Sequence, residues 1–315
     1  MEQETLLKFF PERLRELIRS KEISDVMVNE DGTLSVDTGG RLVVMREGLE
    51  SAALVMGIQN IARGLGFEFD ATTPILDTRL PDGSRVAAVF RNGLVTLTIR
   101  KFNRWYTLAE LVESGCVPPF VRDAVVEGIQ GTGPRGKANV LISGGTSSGK
   151  TTFGKGLIDF IPRHERLIII ENPSELFITH PNAVRFEARA AVPDGPAALS
   201  VADLLIASLR HRPDRIILGE VREPLAAYEL LQALNTGHSS SMCTIHADSS
   251  EDGFYRLSDL VLASHSNLSR EYVNRQILRS IDFIVHLHRV DGVRKVTELS
   301  VSDKTKECFS LIYSA

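Results

Sequence analysis

The sequence predicts two domains: a smaller α+β domain, followed by an α/β domain whose helices pack on a mainly parallel sheet. Three observations predict this. The chain has 315 residues, 43% hydrophobic and 24% charged, an ordinary globular composition with length enough for two cores. In its second half, short apolar runs alternate with helical patterns, which is the sequence form of helices covering a parallel sheet. One of those runs breaks off into "GGTSSGKTT", Gly144 to Thr152, where Gly, Ser and Thr surround a single Lys.

Taken in order, Leu6, Phe10, Leu14, Leu17 and Ile18 recur at helical spacing. The strand-like runs of "DVMVNEDGTLSVDTGGRLVVM" follow, broken by turn signals at Asp31-Gly32 and Gly39-Gly40. A helix is expected around Ala52 to Leu65, then the strands "RVAAVF" and "LVTLTIR" joined through Asn92-Gly93, a hairpin signal. After the helical "PPFVRDAVVEGIQ", the stretch "GTGPRGKA" interrupts all periodicity with glycines, a proline and two cations. The expected division is therefore residues 1–130 as the N-terminal domain, 131–138 as a linker and 139–315 as the second domain. There "NVLIS", "RLIII", "RIILG" and "CTIHA" read as strands, between helical patterns such as "SVADLLIASLR" and "PLAAYELLQAL".

Composition excludes several classes. A formal net charge of -4 supplies no general basic field, and no aromatic-basic tract is present, so direct nucleic-acid binding is not indicated. The N-terminal "MEQETLLKFFPERLRELIRS" lacks the uninterrupted apolar stretch of a secretory signal, and no run of 18 apolar residues offers a transmembrane span. Cys116, Cys243 and Cys308 are far apart and form no CxxC pair, which argues against a disulfide framework or a zinc knuckle. A reducing, cytoplasmic compartment is expected.

Gly144, Gly149, Lys150 and Thr151 match G-x-x-x-x-G-K-[ST], placed between an apolar strand and a helix. In such a loop glycine lets successive backbone N–H groups, here those of Gly145, Thr146, Ser147, Ser148 and onward to Thr152, turn onto phosphate oxygens. The helix N-terminus adds its positive dipole end. Lys150 is expected to bridge the β- and γ-phosphates of ATP, and the Thr151 hydroxyl to ligate Mg²⁺. Hydrolysis also needs a carboxylate at a neighbouring strand end. "RIILGEVREP" supplies Glu220, and "RLIIIENPSEL" supplies Glu171 and Glu175.

The motifs "GGTSSGKTT", "IIIENPSEL", "RIILGEVREP" and "NTGHSSSMCTIHADS" resemble, in order, the Walker A, Asp-box, atypical Walker B and His-box motifs of the secretion ATPase superfamily. With "SLRHRPDRIILGEVRE" followed by "LLQALNTGH", the chain looks most like the conjugative-transfer, TrbB-type traffic ATPases of type IV secretion. The resemblance implies a RecA-like P-loop ATPase domain in which Glu220 holds Mg²⁺ through water and Glu171 orients the hydrolytic water. It also implies that His246 and His238 sense the γ-phosphate or a subunit contact, and that Arg85 and Arg100 reach a nucleotide lodged between the domains. Arg210 and Arg222 flank the Walker B strand as partners of Glu220 or as contacts to a neighbouring subunit. One departure concerns Gly237-His238, which is followed by Ser239, Ser240 and Ser241 where the family usually has glycines; serine takes positive φ less freely.

The implied function is that of a hexameric ring, a homo-oligomer coupling ATP hydrolysis to substrate transfer or pilus assembly. Its implied partners are inner-membrane secretion-channel proteins, met at the inner face of the bacterial inner membrane. The alternatives are a type IV pilus or type II secretion motor, and a nucleotide-gated assembly module with little hydrolysis. The pair Glu171 and Glu220 speaks for hydrolysis.

Overall fold

The computed structural model describes residues 3–20, 22–38, 41–45, 48–101, 106–172, 178–189, 191, 197–265 and 267–315. The chain divides into two compact units, Met1–Trp105 and Tyr106–Ala315.

The first unit begins with α1 (Gln3–Leu7) and α2 (Glu12–Arg19), then β1 (Asp25–Val28), β2 (Leu34–Thr38), β3 (Arg41–Val44), α3 (Ser51–Gly64), β4 (Ile75–Arg79), β5 (Arg85–Arg91) and β6 (Leu94–Arg100). The strands form an antiparallel sheet of order β3-β2-β1-β6-β5-β4. Period-2 alternation puts Val26, Val36, Ile99 and Val86 in one cross-strand row. That row is buried with Leu14 and Leu17 of α2 and Ile58 and Ile61 of α3. The hairpin expected at Asn92-Gly93 is present, with φ 52° and 78° at the two residues, the positive pair of a type I′ turn. The turn expected at Gly39-Gly40 lies outside the described residues.

The second unit contains α4 (Leu108–Glu113), α5 (Pro119–Gln130), β7 (Val140–Gly144), α6 (Lys150–Ile158), β8 (Leu167–Glu171), β9 (Ala183–Glu187), α7 (Val201–Ser208), β10 (Arg215–Leu218), α8 (Pro224–Asn235), β11 (Met242–Ile245), α9 (Ser250–Ser264), α10 (Arg270–Ser280), β12 (Phe283–Val290), β13 (Val293–Asp303) and β14 (Cys308–Ser314). Its sheet runs β14-β13-β12-β7-β11-β10-β8-β9. From β12 to β9 every pairing is parallel, and β13 and β14 add an antiparallel edge. Helices α7 to α10 enclose one face through Leu141, Ile168, Ile216 and Ile245. The other face carries α6, against which α4 packs, and α5, whose Gly128 lies against the Phe283 ring. Both faces are covered, which is why the strands read as unbroken apolar runs.

The boundary falls before α4, not at residues 131–138. Thr107 opens α4 with a capping box to Glu110, and α4 and α5 belong to the second unit. The "GTGPRGKA" stretch is a tight turn within that unit. Gly131 caps α5 at φ 75°, Ala138 N–H donates to Gly128 O at 2.9 Å, and Arg135 Nη1 donates to Ser302 O at 3.0 Å. The glycines that suggested a flexible link serve a helix C-cap and a reversal.

Beside this turn lies a buried polar network at the N-terminal ends of the central strands. Arg215, 0% exposed, pairs through Nε with Glu165 Oε2 and donates through Nη1 to Ile129 O at 2.7 Å. Lys137 Nζ bonds the other Glu165 oxygen at 2.7 Å. Asn139 Oδ1 accepts from Ser241 N–H at 2.8 Å, and Ser241 Oγ accepts from Ile216 N–H at 3.0 Å, tying the starts of β7, β10 and β11 together. Burial pushes the Glu165 carboxyl up, but hydrogen bonds and charge from Arg215 and Lys137 outweigh it and hold the group below its ordinary 4.5.

Removing one member of a buried pair strands the other. Arg215→Ala is expected to cost about 3–5 kcal/mol in denaturant unfolding, whereas Lys137→Ala, at a half-exposed partner, costs less than about 1 kcal/mol. Because the folded pKa of Glu165 is depressed, its contribution is present above the unfolded value of 4.5 and is lost as pH falls through the folded value. A wild-type stability flat from pH 6 to 3 contradicts this assignment.

Candidate functional site

In a parallel sheet all strand C-termini emerge on one edge, and the loops there converge. β7 ends at Gly144 and α6 begins at Lys150, so the sequence between them forms the phosphate-loop turn. A Cβ on Gly144 would lie 2.3 Å from Leu287 O and 2.6 Å from Ser148 Oγ, and its φ is +152°, so the position admits only glycine. Gly149 precedes the helix at φ +105° and Ser147 adopts φ +59°. No side chain caps α6 at Gly149, which leaves its first N–H groups facing the loop. Lys150, 7% exposed, folds back so that Nζ donates to Gly144 O at 2.7 Å and Gly145 O at 2.8 Å. The buried Ser148 Oγ has no hydrogen-bond partner among the described residues. Thr151 and Thr152 occupy the first turn of α6.

Glu171, the last residue of β8, is 3% exposed. Its Cγ lies 3.2 Å from where a Cβ on Gly219 would stand, so glycine at 219 lets the neighbouring strand pass it. Gly219 N–H donates to Ile170 O at 2.9 Å, Val221 N–H to Thr244 O at 2.8 Å, and Thr244 Oγ1 to Gly219 O at 2.6 Å. These bonds fix the turn that carries Glu220. Its carboxylate meets Arg222 Nη2 at 2.6 Å and His246 Nε2 at 3.0 Å. Burial first, then the Lys150 charge and the smaller one of Arg222, lower the His246 pKa below 6.5, with Glu220 pulling the other way. Burial and the Lys150 charge thus favour the neutral imidazole, which stands beside the Glu220 carboxylate. A cavity of about 310 Å³ is lined by Glu220, Val221, Arg222, His246 and Arg256.

Thus the phosphate loop, Glu171, Glu220 and His246 share one edge of the sheet, and Arg222 is a partner of Glu220. Glu175 lies outside the described residues. His238 is placed elsewhere: it precedes β11 whereas His246 follows it, and that four-residue strand spans about 13 Å. Its Nδ1 lies 3.0 Å from Ala233 O, at the end of α8. Arg210 likewise precedes β10, in an exposed turn of 3₁₀ helix. Arg85 and Arg100 belong to the first unit, where Arg85 forms two bonds with Asp77 at 3.0 and 2.7 Å and Arg100 bonds Asp25 at 2.8 Å.

The serines after Gly237-His238 need no glycine replacement. Ser240 does adopt positive φ, at 61°, held by its Oγ donating to Gly128 O at 3.2 Å and its carbonyl accepting from Arg215 at 3.4 Å. Two residues at the site carry no sequence motif, Arg256 in the cavity wall and Arg294, whose Nε donates to Ser147 O at 3.0 Å. Arg294 sits on β13, far along the chain from the loop, and only the strand order brings them together.

The likeness to known proteins agrees with this geometry. Residues 12–309 match the family model for type II/IV secretion system proteins. The probable conjugal transfer protein TrbB of Sinorhizobium fredii is 32% identical over 284 residues, covering 88% of this chain and 82% of that protein. VirB11 of Rhizobium radiobacter is 30% identical over 344 residues, covering 95% and 94%. The crystal structure of the VirB11 ATPase from the Brucella suis type IV secretion system, in complex with sulphate, superposes with a TM-score of 0.51 at 26% identity, over 97% of this chain and 96% of that one. With its phosphate loop and paired carboxylates on one sheet edge, this chain belongs to the type II/IV secretion system protein family, as one of its ATPases.

Proposed function

We propose that the chain is a traffic ATPase of conjugative or other type IV secretion, hydrolysing ATP with Mg²⁺ at the C-terminal edge of the second unit's sheet and acting as a hexameric ring. The observation that carries the reading is the meeting of the phosphate loop with Glu171, Glu220 and His246 on that edge. Inner-membrane channel proteins as partners, and a place at the cytoplasmic face of that membrane, belong to the same proposal, which the likeness to type IV secretion proteins supports. Among the described residues none is long and apolar enough to cross a membrane.

The residues suit the nucleotide. The cradle lacks a Cβ at Gly144, its buried Ser148 hydroxyl has no hydrogen-bond partner among the described residues, and Lys150 is parked on two loop carbonyls. A triphosphate offers the lysine and the inward N–H groups anionic acceptors in place of those carbonyls. The hydroxyl of Thr151 and the carboxylate of Glu220 are oxygen donors of the kind Mg²⁺ prefers and would hold it here. When bound, the metal neutralises charge that develops on the phosphates. Glu171, buried behind Gly219, is the carboxylate that orients the attacking water. His246, beside the Glu220 carboxylate and within the field of Lys150, reports a change of charge at the phosphates.

Lys150→Ala is expected to lower turnover by about two orders of magnitude or more, since it deletes the charge that stabilises phosphoryl transfer. Activity equal to wild type in a phosphate-release assay removes the reading. Glu171→Gln and Glu220→Gln should each retain ATP affinity within a few-fold and lose most turnover; a variant that hydrolyses normally has been given the wrong role. By proton magnetic resonance the His246 ring should titrate below pH 6.5. Glu220→Gln should move it lower still and Lys150→Ala higher, following the sign of each charge. Particle imaging with and without ATP checks the ring, and a monomer under both conditions rules it out.

A further inference from the structure

β12 and β13 form a hairpin whose first strand pairs with β7, Leu287 standing opposite Gly144. From the second strand, Arg294 lies across the phosphate loop. Its Cδ is 3.5 Å from where a Cβ on Gly149 would be, and its Nε donates to Ser147 O at 3.0 Å. Ser147 is the loop residue that bears strain, a serine at φ +59° in a region that side chains other than glycine's enter unwillingly.

A trans peptide points its C=O and the next N–H in opposite directions. Holding Ser147 O on the outer side therefore turns Ser148 N–H into the loop. There, among the described residues, it reaches Gly145 O at 3.4 Å, a bond long enough to be given up for a phosphate oxygen. Released from Arg294, the 147–148 peptide is free to leave the strained conformation, and the inward donor goes with it.

The geometry points to Arg294 as a positioning residue that keeps the phosphate loop in its N–H-inward form before nucleotide arrives. The inference rests on the reading of this loop as the ATP site. ATP and ADP both use the preformed cradle, so Arg294 acts on the affinity of both alike. Once nucleotide is bound the loop is the same with or without Arg294, so the chemical step is spared. Lysine at 294 keeps the positive charge but has no donor at the Nε position, and separates attraction to phosphate from loop positioning.

The test uses the full chain, with calorimetric titration of ATP and ADP and steady-state ATP hydrolysis. Arg294→Ala should raise both dissociation constants about tenfold, the low end for loss of a charged hydrogen bond, and raise KM while kcat changes less than twofold. Arg294→Lys should recover only part of the affinity. Ser147→Gly supplies the decisive arm because glycine takes positive φ without help. In that background the Arg294→Ala penalty should shrink to threefold or less, a coupling that a double-mutant cycle measures. An equal penalty in both backgrounds means direct contact with nucleotide and overturns the inference. So does a fall in kcat at unchanged KM, or no effect at all. Lys150→Ala measured alongside distinguishes the two failures: if it too binds ATP as wild type does, the loop is not the nucleotide site.

Discussion

The parallel register of β7, β11, β10 and β8 is the constraint on which the rest depends. Leu218 stands beside Ile170 and Cys243, and Cys243 beside Leu141. The four chains therefore leave the sheet together, carrying the phosphate loop, His246, Glu220 and Glu171. A shift of one residue in any strand would reverse its side chains and withdraw from this edge the residue it carries. At the other end the same strands begin in the network of Arg215, Glu165, Asn139 and Ser241. Buried polar groups of this kind fix register because only one alignment satisfies them.

The C-terminal edge of the sheet shows the opposite arrangement. Ser147 adopts positive φ, Ser148 Oγ is buried with no hydrogen-bond partner among the described residues, and Lys150 occupies two loop carbonyls. Such local cost is retained where the surroundings over-determine it and a ligand relieves it. Here the surroundings are Leu287 behind Gly144 and Arg294 across Gly149. The antiparallel hairpin at the sheet edge thus backs the loop as well as extending the sheet.

Much of this was legible in the sequence because the chemistry is local. The phosphate loop, the acidic ends of "RIILGE" and "RLIIIE", and the Asn92-Gly93 hairpin are each written in consecutive residues and appear where expected. What was not legible depends on distant partners. The "GTGPRGKA" turn looks like a linker until Ser302 and Gly128 are seen to hold it. Ser240 looks unfit for its turn until Arg215 and Gly128 supply its bonds. His238 and His246 are eight positions apart in one motif, yet a strand between them sends them to opposite ends of the sheet. β9 carries a half-buried to exposed, polar-interrupted pattern suited to a sheet edge, which weakens the periodic signal a buried strand gives.

Amide hydrogen exchange of the full chain, with Mg²⁺ and a non-hydrolysable ATP analogue against nucleotide-free protein, tests the central claim most directly. The account predicts slowed exchange at Gly145 to Thr151, around Glu220 and around His246, with Thr236 to Ser241 at the far end of the sheet unchanged. Protection absent from the loop, or appearing at the far end instead, would contradict it.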